Sequence, residues 1–177
     1  MAIPELLKGR IMKHKVVDKK HNSNHCMVCG IQNPFSLGAR FYQLDNQELV
    51  CTFETKDFHQ SYPGRLHGGM AAAILDETIG RAIDALEPGI WAVTVELNVK
   101  YKKPIPLNSR LRAVGRIVSN SRRIFEAEGE ILLEDGTIAA TSRGKYLKME
   151  DESIAAETFS ENEWFLLQEE DPEEIEI

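Results

Sequence analysis

Residues Trp91 to Tyr101 carry the strictest period in the chain. Trp91, Val93, Val95, Leu97, Val99 and Tyr101 alternate with Ala92, Thr94, Glu96, Asn98 and Lys100. Period-two alternation is the mark of a strand with one buried face, because successive side chains of a strand point to opposite sides. Pro104 and Pro106 close it, since proline cannot donate to a sheet ladder. Three more strand-like runs follow at 110–118, 124–133 and 137–148, separated by the turn formers Ser119-Asn120-Ser121 and Glu134-Asp135-Gly136. Upstream, residues 35–55 read as a hairpin with Asp45-Asn46 as its turn, between strands at 39–42 and 49–53. Between hairpin and strands lies an alanine-rich apolar run from Gly68 to about Leu86, stopped by Glu87-Pro88-Gly89, which predicts one long helix. The layout is α+β: an antiparallel sheet with a single helix on one face. One helix cannot cover both faces, and a free sheet edge must pair or be protected, so dimerisation through an edge is expected.

The helix opens on Leu66-His67-Gly68-Gly69 and carries Asp76-Glu77 two turns later. Two glycines let a ligand approach the backbone closely, and the first amides of a helix point outward at the positive end of its dipole. An aspartate inside an apolar helical run is the opposite of what packing selects. Together they suggest an oxyanion hole and a carboxylate acting as general base or nucleophile. Asp76 lies roughly 11 Å along the helix from the glycine pair, at ~1.5 Å per residue. One helix can therefore hardly bring both groups to one reacting carbon, whereas helices from two subunits can. A buried acid satisfied by backbone or hydroxyl groups is the competing reading of Asp76. Glu77 is its local rival, turned by roughly 100°, and the apolar residues spread too widely for helix phase to choose. His67 is a possible base, but before Gly-Gly it more simply anchors the turn through its side chain.

Hydrophobic residues make up 42% of the 177, and no apolar run approaches the ~20 residues of a membrane span. The N-terminus lacks a long apolar run, so no secretory signal is expected. Three cysteines, Cys26, Cys29 and Cys51, do not form an even disulfide framework and point to reduced thiols in a cytoplasmic protein. The net charge of −7 hides a division: twelve acids and no Lys or Arg follow residue 149, leaving residues 1–149 with 21 basic and 16 acidic residues. A mildly basic body suits an anionic ligand. Lys100, Lys103, Arg122, Arg123 and Lys145, with Lys102 and Arg143, are candidates to meet its phosphates, against the plainer reading of solvated strand edges. No dense basic stripe interleaved with aromatics argues for nucleic acid. The expected organisation is an N-terminal extension at 1–24, polar with an initial helix possible, a folded domain at 25–149, and a solvated acidic tail at 150–177. Within that tail Trp164-Phe165-Leu166-Leu167 could dock as a short helix. His21, His25, Cys26 and Cys29 form a tight cluster open to three readings: packing, a tetrahedral metal site, or redox chemistry. Packing is preferred, and no metal is assigned.

Residues 24–148 resemble the hotdog-fold acyl-CoA thioesterases of the phenylacetate-degradation (PaaI) and thioesterase superfamily type. The carriers are His67-Gly68-Gly69, the acid nine residues after that histidine, the strand Thr94-Val95-Glu96-Leu97-Asn98-Val99-Lys100-Tyr101-Lys102-Lys103-Pro104-Ile105-Pro106, and Leu133-Glu134-Asp135-Gly136-Thr137-Ile138-Ala139-Ala140. A Cys26-x2-Cys29-Gly30…Asn33-Pro34 segment is shared as well. The resemblance implies a sheet wrapped around one central helix and hydrolysis of an acyl-CoA or aryl-CoA thioester to free acid and CoA. It implies no cofactor beyond the CoA of the substrate, and a homodimer or homotetramer with shared sites. An amide of Gly68 or Gly69 would polarise the thioester carbonyl, Asp76 would be base or nucleophile, and Thr94 would help hold the attacking water. Where relatives carry Asn or Gln before the histidine, Gln60 is the candidate here. The alternative class is a non-hydrolytic acyl-CoA binding protein or a dehydratase. Dehydratase relatives pair a histidine with the helical acid, whereas here the histidine is confined to the turn.

Overall fold

The structure, a computed structural model, describes residues 11–149 and 163–177. Eight strands form one antiparallel sheet: β1 (Lys13–Lys19), β2 (Arg40–Leu44), β3 (Leu49–Glu54), β4 (Trp91–Tyr101), β5 (Arg110–Asn120), β6 (Ile124–Leu132), β7 (Ile138–Met149) and β8 (Glu174–Glu176). Their order across the sheet is β4-β7-β6-β5-β3-β2-β1-β8. One helix, α1 (Gly68–Arg81), crosses the sheet's inner face. The α+β layout, the hairpin and the four long strands stand as expected from the sequence.

Helix α1 buries Ala71, Ile74, Leu75, Thr78 and Ile79, the i, i+3, i+4, i+7, i+8 stripe of a helix lying on a core. Thr78 is carried within that stripe because its hydroxyl donates to Ile74 O at 2.6 Å. The paired glycines Gly115 and Gly129 of β5 and β6 lie beneath Thr78 and Ile79. A Cβ on Gly115 would stand 2.9 Å from Thr78 O, so the pair sets how closely helix and sheet approach. The α-helix ends at Arg81, short of the expected residue 86. Residues Ala82–Ala85 tighten into a 3-10 turn, with Ala82 N–H bonding Ile79 O. Under α1, the main core gathers Leu37, Phe41, Leu49, Phe53, Ile74, Leu75, Leu111 and Ile131. On the opposite face, Ile175 of β8 packs with Tyr42, Leu44, Val50, Val114 and Leu132.

Three expectations change. Residues 13–19, read as a polar extension with a possible helix, form β1, paired with β2 on one side and β8 on the other. Local reading misses it because one partner lies some 160 residues away. Residues 1–10 of that extension, and 150–162 of the tail, lie outside the described residues. Residues 163–177 dock rather than dangle: Asp171 and Glu169 bind Lys19 and Arg40 at 2.6 Å. Trp164 sits in a bend, with Phe165 in an isolated bridge, rather than in a short helix. The reciprocal Asn22–Phe165 backbone bonds (2.8 and 3.0 Å) take up the polar groups a helix would need.

The third change concerns β4. Within one chain it has no continuous buried face, and Val93 and Val95 are 43% and 59% exposed. The pairing with β7 shifts register between Thr94 and Glu96. That bulge reverses the alternation. Ala92 and Thr94 face α1 before it, and Leu97 and Val99 face the core after it. Thr94, on the polar side by strict alternation, is thereby turned inward.

Candidate active site

The turn at the start of α1 is set by the loop before it. His59, buried, accepts from Lys56 N–H at Nδ1 and donates from Nε2 to Phe35 O at 2.9 Å. Its carbonyl receives His67 N–H at 2.8 Å. His67 then caps the helix: its Nδ1 accepts Gly69 N–H at 2.9 Å. The histidine is thus the anchor that the sequence suggested. The same bond separates the two glycines, because Gly69 N–H is spent on the cap. Gly68 N–H is left as the outward amide, matched to no acceptor among the described residues. Tyr101 O–H donates to Gly68 O at 2.8 Å and fixes the turn from β4. Gln60 serves the loop: its side-chain oxygen accepts Gly64 N–H at 3.1 Å, and nothing brings it to Asp76.

Asp76 lies on the flank of α1 that faces β4 and β7. Thr94 Oγ1 donates to its carboxylate at 2.9 and 3.2 Å, and Tyr146 O–H donates to Oδ1 at 2.9 Å. Both hydroxyls point their protons at the carboxylate, which fixes its position between helix and sheet. Tyr146 was missed by sequence reasoning. Its ring stacks on Phe125 at 4.9 Å and reaches the helix because Gly80 stands beneath it, where a Cβ would come within 2.9 Å of the ring. A glycine in the interior of an otherwise good helix was the available signal. Burial and then the charge of Asp76 push the Tyr146 hydroxyl well above its ordinary pKa, so it stays a proton donor. Glu77 lines the same cavity but is already engaged. It pairs with Arg81 at 2.5 Å and accepts from Cys26 Sγ at 3.2 Å, which leaves Asp76 as the acid of the pair with no cation bound to it among the described residues.

An open cavity of about 870 Å³ begins at Asp76 and Thr94 and runs along α1 past Ala73, Gly80 and Ile83 to Trp91 and Trp164. Its far end is closed by the docked tail. Trp164 lies 5.1 Å from Trp91 and over the Arg81 guanidinium at 4.5 Å. The five basic candidates are not gathered. Lys100 and Lys145 line a depression on the outer side of β4 and β7, with Lys145 4.0 Å from Glu126. Lys103 follows one end of β4, while Arg122 and Arg123 occupy the β5–β6 turn near the other. Those ends are roughly 30 Å apart at ~3.3 Å per residue. Residues far apart in sequence but alternating along strands gave no means of telling ends and faces apart.

Cys26, Cys29 and Glu77 bring their ligand atoms within 4.8 Å of one another, the metal-type grouping found among the described residues. His21 instead stacks on Trp164 at 5.9 Å. All three cysteines are free. No described helix is long and apolar enough to cross a membrane.

The fold is the one seen in solved thioesterase superfamily proteins, and residues 63–140 match the family model described as the thioesterase superfamily. The acyl-coenzyme A thioesterase THEM4 of Rattus norvegicus is 37% identical over 103 residues, covering 58% of this chain and 40% of that protein. The crystal structure of RHA08564, a thioesterase superfamily protein, superposes with a TM-score of 0.64 at 27% identity, over 70% of this chain and 60% of that one. The PaaI protein of E. coli shares the fold, with a TM-score of 0.59 at 19% identity over 64% and 81% of the two chains. The resemblance read from the His67-Gly68-Gly69 turn and the β4 strand therefore holds in sequence and in fold. The chain spans about half the length of the THEM4 relatives it matches, or less.

Proposed function

We propose that the protein hydrolyses an acyl-CoA or aryl-CoA thioester to the free acid and CoA. The observation that carries the reading is Asp76, held in place by hydroxyl hydrogen bonds from Thr94 and Tyr146 on a largely apolar cavity. In this reading Asp76 takes a proton from water, and Thr94, donating to Asp76, accepts a hydrogen bond from that water through its free lone pair. The hydroxide adds to the thioester carbonyl, whose oxygen gathers charge at the Gly68 N–H, the positive end of α1. The C–S bond then breaks and the thiolate leaves without needing a strong acid, since an ordinary thiol has a pKa of about 8.5. Thr94, placed to bind both the Asp76 carboxylate and the water, makes the base role the one proposed here. The acyl group would lie along α1 toward Trp91 and Trp164.

Gly68 and Asp76 sit on one helix, eight positions and so roughly 12 Å apart, so the proposed site takes its amide from a second chain. β4 supplies the means. It is a sheet edge with exposed Val93 and Val95, and such an edge invites an added strand. Pairing antiparallel with its own copy would bring the partner's Tyr101 end, which holds the glycine turn, beside this chain's Thr94. A dimer, in a reducing compartment such as the cytoplasm given three free thiols, is the proposed form.

Thiol release from a panel of acyl-CoA and aryl-CoA thioesters tests the activity; no release from any member would end it. Asp76→Asn should lower turnover by about 10²–10⁴ with the fold intact, while Glu77→Gln, whose acid is engaged with Arg81, should stay within a few-fold of wild type. If Glu77→Gln were the dead variant, the roles within the pair would be reversed.

A further inference from the structure

Cys26 and Cys29 are built into a turn that the proposed hydrolysis does not use. Cys26 Sγ accepts the backbone N–H groups of Val28 and Cys29 at 3.2 and 3.3 Å. Gly30 N–H closes the turn on Cys26 O at 2.9 Å. A Cβ at Gly30 would fall 2.4 Å from that same oxygen, so only glycine lets the chain double back. The two sulfurs differ in setting. Cys26 is half-buried and lines the cavity that begins at Asp76, whereas Cys29 is fully buried behind it. Both lie against α1, where Cys26 bonds Glu77 Oε2 at 3.2 Å and Arg81 donates to Cys29 Sγ at 3.3 Å. Arg81 is itself fixed. It donates to His21 O at 2.7 Å and to Glu77, and lies over the Phe41 ring at 4.3 Å.

Two chemistries use a Cys-x2-Cys turn with amides aimed at the first sulfur: divalent metal binding and thiol–disulfide exchange. Arg81 separates them. Its guanidinium already occupies one side of the Cys26–Cys29–Glu77 triangle, where a divalent cation would face a fixed positive charge. At Cys26 the two amides and the neighbouring Cys29 thiol favour a thiolate and outweigh the opposing Glu77 charge, whose own partner is Arg81. The Cys29 S–H bond to Cys26, aided by those amides, draws the Cys26 thiol below its ordinary range, while that bond and burial push Cys29 well above it. One sulfur is half-buried on the cavity wall and activated, and the other is hidden and held protonated.

We propose that Cys26 and Cys29 form a redox-active dithiol that reacts with low-molecular-weight disulfides entering the cavity, Cys26 attacking and Cys29 resolving. The Cys26 thiolate adds to one sulfur of RS–SR and expels RS⁻, which takes up the proton Cys26 gave up. Cys29 then loses its proton and attacks Cys26 Sγ, expelling the second RS⁻, which accepts that proton. Two electrons pass from the protein to the small disulfide, giving one Cys26–Cys29 disulfide and two RSH. The sulfurs and the Glu77 carboxylate lie within 4.8 Å, a gap that side-chain rotation across two intervening residues spans.

Glutathione disulfide is the probe, applied to the reduced, folded chain in a chelating buffer and read by intact mass and peptide mapping. The readout is mass rather than turnover, so it is independent of the hydrolytic reading. Wild type should lose two hydrogens, carry no lasting adduct, and keep Cys51 as a thiol. Cys29→Ser should trap one glutathione on Cys26, and Cys26→Ser should take up none at Cys29. Retention of both thiols by the folded wild type, under conditions that oxidise the urea-unfolded chain, overturns the proposal without appeal to any variant. So does one zinc bound per chain, with both thiols protected and a thiolate charge-transfer band on cobalt substitution, which would make the turn a metal knuckle.

Discussion

Tyr146 is the residue on which the candidate site depends without the sequence having named it. Its hydroxyl is one of two donors on Asp76, and a hydrogen bond to a charged group contributes about 1.5–3 kcal/mol. Tyr146→Phe keeps the stacked ring and removes that donor, so kcat/KM should fall roughly ten- to a hundredfold with little change in thermal stability. Because burial and the Asp76 charge hold the Tyr146 hydroxyl far above its ordinary pKa, it does not titrate in the working range. The variant should therefore lower the pH–rate profile without adding or removing an alkaline limb; a limb that vanishes would mean Tyr146 loses its proton in the reaction. Asp76, Gly68 and His67 were legible in sequence because each sits within ten residues of the others, on one helix and its cap. Thr94 was legible only through family likeness, since strict alternation puts it on the outer face and a single bulge at Val95 brings it in. Tyr146 was not legible because a ring packed 70 residues away from its partner leaves no local trace except the glycine that makes room for it.

The element that departs most from local reading is β1, and it is held by charge. At its end, Lys20 is buried and bonds Asp84 at 2.5 Å and Asp18 at 2.6 Å, tying the strand to the 3-10 turn that follows α1. Burial alone would raise Asp84 and lower Lys20, yet their ion pair wins in both: Asp84 lies below and Lys20 above its ordinary value. The sign follows from each shift. A depressed Asp84 stabilises above its unfolded pKa and stops doing so as pH falls through the lowered value. A raised Lys20 stabilises below its unfolded pKa and stops only as pH rises through the raised one. Lys20→Met should thus cost about 1–3 kcal/mol at neutral pH, and the gap to wild type in urea melts should close in acid below the ordinary Asp pKa of about 3.9. An unchanging gap down to that range would mean the loss is packing rather than charge. The tail makes a separate prediction. Trp164 forms the far wall of the cavity, so Trp164→Ala should move the kcat/KM optimum of a thioester series toward longer acyl groups, and an optimum that stays put would remove the tail from the pocket. Acidic composition suggested a solvated tail. Its backbone pairing with Asn22 and its ion pairs with Lys19 and Arg40 depend on partners no window of sequence contains.

At the scale of the whole molecule, the sheet is finished on one side and open on the other. The β8 edge is three residues long, whereas β4 offers eleven residues ending the sheet with valines exposed. The alternation that makes β4 legible as a strand with a buried face is not satisfied inside one chain, which is the expected state of a surface completed by a second copy. The separation of Gly68 from Asp76 on a straight helix makes the same demand from the chemistry. Complementation tests both together. A chain with Asp76→Asn lacks the base. A chain with Gly68→Val lacks access to the amide, yet a Cβ at Gly68 meets only the Tyr101 ring at an ordinary 3.5 Å, so that chain should fold. Each alone should be inactive. Mixed, dissociated and re-associated, they form a heterodimer in which one site joins wild-type Asp76 to a wild-type glycine turn and the other lacks both. Activity should return to about one working site per heterodimer, half that of wild type. If a heterodimer verified by mass stays inactive, or if wild type is fully active as a monomer by light scattering, amide and base act within one chain and the helix geometry has been misjudged.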